Sequence, residues 1–317
     1  MFINGNIPTM FQGVNPTIST PFHITRPRDI KIPAGAGTSG FHQQGIQKSS
    51  NGEFFISGSA KRTGYIYKTS INHTITTIIT PDFWDIHQKR LNHLGGFQIA
   101  GNIIAVGYER SANRRHGTSK ILFYNTDDFA ADQRLTHLTI SRDNPEETAG
   151  AVGLSRFQDT WLLLVANWNS ERLDFYTSNQ RNLLDPQTSF NSQPCCSWSI
   201  HEDGLSPASI DQHWSPYQNI NLFVEEHQPD IAWFIGMHTE SDILKNSDWA
   251  DLYKVEFTPD QPIVTKIANM KFPRSHNNQR FDCGSGYYYN QATNTFNVYN
   301  CTAKIEKTNF TCQCLEW

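Results

Sequence analysis

The chain has 317 residues, a formal net charge of −4 and a sequence pI near 6.3. Its Lys and Arg residues occur singly or in small groups, so no basic patch of the kind that binds nucleic acid is expected. No apolar run of about 18 residues occurs, so no membrane span is expected. The N-terminus lacks the pattern of a signal peptide, but localisation stays open between secretion and the cytoplasm.

The N-terminal part is predicted to be an irregular leader followed by short strands. Residues 22–25 and 29–32, within the segment 21–33, are two strand candidates rich in β-forming residues. One of them is predicted to complete the last repeat of the chain, which would join the termini and cover a sheet edge. Residues 304–310 compete for the same place, and the sequence does not decide between the two.

Five stretches of the chain repeat one order of strands: a Gly- or Gln-rich strand, an apolar run and an aromatic strand. The first strands start near residues 45, 96, 151, 219 and 279. Fourth-strand candidates lie at 74–79, 135–140, 196–200 and 263–267. Repeats of about 50 to 70 residues that are filled with strands are typical of propeller blades. We therefore predict an all-β fold, a five-bladed β-propeller of four-stranded antiparallel blades.

The prediction is one domain over residues 1–317. Its blades are placed near 42–80, 93–140, 149–200, 217–268 and 276–311. The repeat resembles the five-bladed β-propellers, a ring shared by tachylectin-type lectins and by arabinanase- and levansucrase-type glycoside hydrolases. The resemblance covers most of the chain but is architectural, without a family-specific catalytic motif. It implies carbohydrate binding or hydrolysis, although Gln47 and Gln98 stand where the hydrolases typically carry an early aspartate.

Polar residues recur where one rim of the central channel is expected. Because neighbouring strands run antiparallel, the start of each first strand and the end of each second strand lie on one face. The starts carry His42, His93 and His276, the ends carry Glu109, Asn167, Trp168 and His238, and the channel-lining positions carry Gln47, Gln98, Asn221 and Asp282. We predict one polar pocket at this channel mouth.

Three hypotheses compete for these residues. His42, His93 and His276 could hold a divalent metal in the central channel. Glu109, Asp282 and His93 could form an acid–base set, with Asp211 as a further carboxylate. A ligand-binding role is predicted for His42, Gln47, Gln98, Asn167, Trp168, Asn221, His238 and His276. The structural alternative is that the repeated His and Gln residues satisfy backbone groups between blades.

The main functional prediction is a binding protein for a small polar or carbohydrate ligand, or an interaction scaffold. A protein partner would contact the long insertion at residues 182–216. The alternative is a glycan-acting hydrolase or lyase. The loop tryptophans that could stack on a sugar are Trp84, Trp168, Trp214 and Trp249.

The six cysteines leave two interpretations open. They are Cys195, Cys196, Cys283, Cys301, Cys312 and Cys314. Disulfides among the last four would staple the ring closure and indicate an oxidising compartment. Reduced, half-buried thiols would fit a cytosolic protein equally well.

Overall fold

The structure is a computed structural model that describes most of the chain. The described residues are 2–31, 33, 42–60, 63–83, 91–110, 118–130, 133–144, 147–240, 247–273, 280–302 and 312–317. Its strands in chain order are β1 (Thr20–Ile24), β2 (Gln43–Lys48), β3 (Phe54–Ser59), β4 (Gly64–Thr69), β5 (Ile75–Ile79), β6 (His93–Ala100), β7 (Ile103–Glu109), β8 (Ser119–Asn125), β9 (Ile140–Arg142), β10 (Ala151–Phe157), β11 (Thr160–Ala166), β12 (Arg172–Thr177), β13 (Cys196–Ser199), β14 (Asn219–Val224), β15 (Ile231–Glu240), β16 (Ser247–Phe257), β17 (Pro262–Pro273), β18 (Ser285–Asn290), β19 (Thr295–Cys301) and β20 (Cys312–Glu316).

These strands pair into antiparallel units of four. Unit 1 is β2–β5, unit 2 is β6–β9, unit 3 is β10–β13, unit 4 is β14–β17, and unit 5 is β18, β19, β20 and β1. The first strands of the units contact one another across a common axis, and each unit continues outward by hairpins. The fold is therefore an all-β propeller. Neighbouring units bury their apolar faces against each other, which produces several separate core clusters around the ring.

The two chain ends meet in unit 5. Strand β1, which overlaps the predicted segment 21–33, is its outermost strand and runs antiparallel to β20. Strand β20 in turn pairs with β19, with Cys301 opposite Cys314. Pairing the N-terminal strand with the C-terminal one covers an edge that would otherwise expose unpaired backbone groups. The competing segment, residues 304–310, lies outside the described residues.

Unit 5 differs from the sequence-based assignment of its strands. The sequence places the start of its first strand near residue 279, but the innermost strand is β18, which begins at Ser285. The preceding residues form a turn, because the Cys283 N–H donates to the Arg280 carbonyl (2.9 Å) and Gly284 adopts a φ of +82°. The third strand of unit 5 is therefore β20, which lies beyond the predicted blade at residues 276–311. In unit 2 the fourth strand also begins later than predicted, since Thr136–Leu138 form a 3-10 turn.

The innermost strands approach one another closely at the propeller axis. A Cβ at Gly96 would overlap the Gln218 carbonyl oxygen, so only glycine allows this approach. The innermost strands share few backbone hydrogen bonds; one such contact is the parallel bridge between Ala151 and Gly96. The Gln98 amide substitutes for the missing ladder: its Oε1 accepts from the N–H groups of Leu154 (2.9 Å) and Leu222 (2.7 Å), and its Nε2 donates to the Leu222 carbonyl (2.9 Å).

The N-terminal leader contains the one α-helix of the described residues, α1 (Ile7–Gln12). Asn6 caps its start by accepting from the Thr9 N–H (2.9 Å). The buried carboxylate of Glu225 accepts from the Ile7 N–H (2.7 Å), which ties the helix to the end of β14. Ile7 and Phe11 are fully buried against units 4 and 5. None of the described residues forms a helix long and apolar enough to cross a membrane.

Candidate functional site

Four of the predicted rim residues, His42, His93, Glu109 and Trp168, lie together on one face of the ring. We call this the upper face: the first strand of each unit begins there and the second strand ends there. His93 and Glu109 are directly opposite each other on β6 and β7, with Nδ1 of His93 3.2 Å from Oε1 of Glu109. His42 precedes β2, and the Trp168 ring centroid lies 5.5 Å from that of His93.

Gln44 links the two described histidines of this rim. Its Nε2 lies 2.8 Å from Nε2 of His42 and 2.8 Å from Nε2 of His93. An amide nitrogen only donates, so both imidazole Nε2 atoms accept and the ring proton of His93 lies on Nδ1, toward Glu109. The other carboxylate oxygen of Glu109 accepts from the Ala149 N–H (2.7 Å). His93 and Glu109 are both almost fully buried, so the rim forms a chain of buried polar contacts. Within it, Nδ1 of His93 and Oε1 of Glu109 lie close together without forming a hydrogen bond with any described residue.

The other predicted site residues lie apart from that chain. Asn167 accepts from the Arg172 N–H (2.9 Å) in the turn after β11, and Asn221 accepts from the Tyr287 N–H (2.9 Å) near the axis. Asp282 is ion-paired with Arg280 in the turn before β18 (2.9 Å from Nε to Oδ1). Gln47 lines the axis, and its Nε2 is buried without a hydrogen-bond partner among the described residues. His276 and Trp84 fall outside the described residues.

Two of the three predicted metal ligands, His42 and His93, are among the described residues. Nε2 of His42 and Nε2 of His93 face the same amide nitrogen of Gln44. No group of three His, Cys, Asp or Glu side chains suited to a metal occurs within the ranges that the structure covers. His276, the third predicted ligand, is not among those ranges. The metal, catalytic and ligand-binding roles at the channel mouth therefore stay predictions.

A cavity lies away from the axis, on the side of unit 4. We call it the Asp251 pocket; its volume is about 440 Å³. One wall is the segment 211–216, the end of the predicted insertion, and the other is the face formed by β15, β16 and β17. The insertion is held in place by backbone bonds to β17, from the Ser206 N–H to Val264 O (2.8 Å) and from the Ile210 N–H to Lys266 O (3.0 Å).

The floor of the pocket is a buried carboxylate. Asp251 is only 1 % exposed. Its Oδ2 accepts from the Tyr217 hydroxyl (2.6 Å) and lies 3.4 Å from Nε2 of His238, and its Oδ1 lies 3.3 Å from Nζ of Lys266. The Tyr217 hydroxyl also contacts the Tyr253 hydroxyl (2.5 Å). Burial works against ionisation of Asp251, but the contacts from His238, Lys266 and Tyr217 outweigh it and lower the pKa of this carboxyl.

Lys266 connects the buried carboxylate to an accessible one. Its Nζ lies 3.1 Å from Oδ1 of Asp211 and 3.3 Å from Oδ1 of Asp251, and it also donates to the His213 carbonyl (3.3 Å). The Asp211 side chain is 37 % exposed, whereas that of Lys266 is 3 % exposed. The ammonium group of Lys266 therefore pairs with two carboxylates in different environments: Asp251 is buried, and Asp211 is open to solvent.

Two indoles flank these charges. Trp214 packs against Trp198 and Tyr253, with ring centroids 4.9 and 5.1 Å away, and its buried Nε1 has no hydrogen-bond partner in the described part of the chain. Trp249 is half-buried on β16, and its Nε1 lies 3.3 Å from Oε2 of Glu240. The pocket thus combines indole rings with charged groups, a combination suited to a ligand with both C–H and O–H surfaces.

No protein-family model matches this chain. The curated proteins contain no match either. Similar solved structures include a family 117 glycoside hydrolase from the marine bacterium Zobellia galactanivorans, with 6% identity, 96% of this chain and 91% of that chain covered, and a TM-score of 0.45. A GH32 β-fructofuranosidase of Bombyx mori has 11% identity, coverages of 92% and 61%, and a TM-score of 0.44. A GH43 β-1,3-galactosidase with galactodeoxynojirimycin has 9% identity, coverages of 71% and 74%, and a TM-score of 0.42. At these identities and TM-scores the likeness assigns no activity and no residue roles to this chain.

The Asp251 pocket was only partly visible in the sequence. Asp211, Trp214, Trp249 and His238 were singled out, although on separate grounds. Asp251, Lys266 and Tyr217 were missed. The available signal was Asp251 itself, because it stands between two apolar residues, Ala250 and Leu252. A buried carboxylate needs partners, and therefore marks a polar cluster.

Because the pKa of Asp251 is lowered in the folded protein, the free energy of unfolding should depend on pH in the acid range. A carboxyl whose pKa is lower in the folded state stabilises the fold above its unfolded pKa of about 3.9, and this contribution is lost as the pH falls through the folded value. We expect the difference in free energy of unfolding between the wild type and Asp251→Asn to be constant above about pH 5 and to shrink below about pH 4. Urea unfolding between pH 3 and pH 7 measures it.

Glu226→Gln, at an exposed position, is the matched control for this titration. Its unfolding free energy should follow that of the wild type at every pH. A wild-type-to-Asp251→Asn difference that varies between pH 5 and pH 7 and is flat below pH 4 would contradict the prediction.

Proposed function

We propose that this protein is a five-bladed β-propeller that binds a carbohydrate in the Asp251 pocket. The five antiparallel units of four strands support the blade number. The observation that carries the ligand class is the placement of two indoles beside the ionised Asp251 within one cavity of about 440 Å³. Sugars present C–H faces that stack on indoles and hydroxyls that donate to carboxylates, so each group in the pocket has a counterpart on such a ligand.

The polar groups of the pocket are positioned before any ligand arrives. Asp251 is held by Tyr217 and Lys266, and Lys266 is itself held by Asp211 and a backbone carbonyl. A ligand that meets fixed groups loses less conformational freedom on their side of the complex, which favours binding.

A glycan array of defined mono- and oligosaccharides, followed by titration calorimetry on the sugars that bind, tests the proposal. Trp249→Ala removes one indole, and Asp251→Asn removes the carboxylate charge. Losing a hydrogen bond to a charged group costs about 1.5–3 kcal/mol, so we expect Asp251→Asn to weaken binding by about 10- to 150-fold. Trp249→Ala should weaken binding as well, because it removes one of the two indoles that line the pocket.

Trp168→Ala is the matched control, since Trp168 lies at the channel mouth beside His93 and outside the Asp251 pocket. It should leave sugar binding unchanged. If Trp168→Ala abolishes binding and Trp249→Ala does not, the ligand binds at the channel mouth and the Asp251 pocket is the wrong site. Absence of binding to any sugar on the array would reject the carbohydrate proposal.

Hydrolysis of the bound glycan is a second candidate function. The observation that favours it is that three carboxylates line one pocket, the buried and ionised Asp251 and the partly exposed Asp211 and Glu240. Glycoside hydrolysis uses two carboxyl groups in different environments, one as acid and one as base or nucleophile. Mass spectrometry of the sugars that bind on the array measures the hydrolysis products. The rate of product formation should fall at least about 100-fold in Asp211→Asn while the sugar still binds.

A further inference from the structure

A second cavity, of about 380 Å³, lies at the outer edge between units 3 and 4. Its walls come from the turn between β16 and β17 and from β13, the edge strand of unit 3. Two adjacent cysteines, Cys195 and Cys196, open into it. This cavity is separate from the Asp251 pocket, since the two share no lining residue.

Cys195 and Cys196 are the most accessible thiols of the chain. Cys195 is exposed and Cys196 is partly buried, whereas the other four thiols, Cys283, Cys301, Cys312 and Cys314, are buried in unit 5. All six are free. A reagent in solution therefore reaches the pair at 195–196 while the protein is folded, and reaches the remaining thiols only if unit 5 opens.

The two thiols are arranged as a pair. Sγ of Cys195 lies 3.9 Å from Sγ of Cys196 and 3.2 Å from the Phe175 carbonyl oxygen. The backbone N–H of Cys195 donates to the same carbonyl (2.8 Å), and Cys196 pairs with Phe175 in the sheet. The position of the pair is thus set by the sheet edge, and both residues line the cavity.

We propose that Cys195 is a thiol–disulfide exchange site for small disulfides in the folded protein, with Cys196 as its positioning residue. The Cys195 thiolate attacks one sulfur of a disulfide such as glutathione disulfide. The S–S bond of the reagent breaks, a mixed disulfide forms on Cys195, and the second glutathione leaves as a thiolate that takes up a proton. The exchange needs no further oxidant, because the reagent disulfide is the electron acceptor.

The electrostatics agree with this geometry. The hydrogen bond from Cys196 lowers the pKa of Cys195 to about 7, against the opposing effect of burial and with help from the neighbouring backbone amides. The same hydrogen bond, together with burial, raises the pKa of Cys196. The pair therefore holds one shared proton near neutral pH, and Cys195 carries the reactive thiolate.

The experiment is reaction of the folded protein with glutathione disulfide, followed by intact-mass spectrometry and peptide mapping. We expect one glutathionyl group, on Cys195, and none in Cys195→Ser at the same time points. Cys196→Ala should still react at Cys195, but about three- to fourfold more slowly at pH 7. A return to the ordinary thiol pKa of about 8.5 leaves far less thiolate, and the higher nucleophilicity of that thiolate restores part of the rate.

The pH–rate profile of the wild type is a second measurement that requires no variant. Its midpoint should lie near pH 7, and the midpoint for Cys196→Ala should move toward the usual value for a free thiol, about 8.5. The proposal is overturned by modification of Cys283, Cys301, Cys312 or Cys314 in place of Cys195. It is also overturned by a wild-type midpoint near 8.5, or by the absence of any modification before denaturant is added.

Discussion

Asp174→Ala is expected to lower the free energy of unfolding by about 3–5 kcal/mol. Asp174 is fully buried on β12, and its Oδ2 accepts from Nη2 of Arg142 (2.6 Å). Its Oδ1 accepts from Nε of Arg172 (2.8 Å) and from the Ser197 hydroxyl (2.6 Å). Arg142 lies on β9 of unit 2 and is 1 % exposed, so the carboxylate joins two neighbouring units through a charge sealed from water.

The loss of stability in Asp174→Ala arises mainly from Arg142. Nε and Nη1 of Arg142 already lack hydrogen-bond partners among the described residues, so removal of Asp174 leaves a buried cation with no paired carboxylate. Replacing a buried ion pair with apolar side chains of similar volume is often nearly neutral, so Arg142→Met combined with Asp174→Leu should recover most of the lost stability. Urea unfolding of the single and double variants measures both effects.

An exposed ion pair is the control for this experiment. Lys254 and Glu256 are 2.8 Å apart, with side chains 26% and 42% exposed. Lys254→Ala should change the free energy of unfolding by no more than about 1 kcal/mol, because water screens the pair. A loss for Asp174→Ala as small as that for Lys254→Ala would mean that the buried network does not hold units 2 and 3 together.

Gln98→Leu is expected to lower the free energy of unfolding by about 3–9 kcal/mol, the second large effect. The substitution removes three hydrogen bonds and leaves the N–H groups of Leu154 and Leu222 and the carbonyl of Leu222 without this partner at the axis. Each buried backbone group that loses its partner costs about 1–3 kcal/mol. Since those groups belong to units 3 and 4, the loss should also reduce cooperativity, seen as a lower m-value in urea unfolding.

Gln47→Leu is the matched control within the same channel. Gln47 holds the equivalent position in unit 1 and is equally buried, but its Nε2 has no partner among the described residues. Leucine there removes an unsatisfied donor, so the free energy of unfolding should change little or rise. Equal losses in both variants would show that volume at the axis matters rather than the hydrogen bonds of Gln98.

The repeat pattern predicted the propeller because each unit must satisfy the same local physics. Apolar runs such as residues 103–106 and 161–165 are long enough for strands and too short for helices, and the structure places them in β7 and β11. The pattern failed in unit 5. There the third strand is supplied by residues after the last recognisable repeat, and the fourth comes from the other end of the chain. No local signal encodes such long-range pairing.

By itself the sequence determined the all-β class, the succession of strands and the face on which His42, His93 and Glu109 meet. These follow from side-chain alternation and antiparallel geometry, which act over a few neighbouring residues. Only the tertiary structure decided that His93 is enclosed by Gln44 and Glu109, that Gln98 bridges the axis, and that Asp211 and Asp251 share Lys266. The physical reason is that burial and ion pairing depend on segments far apart in the chain, whose distances are set only when the ring closes.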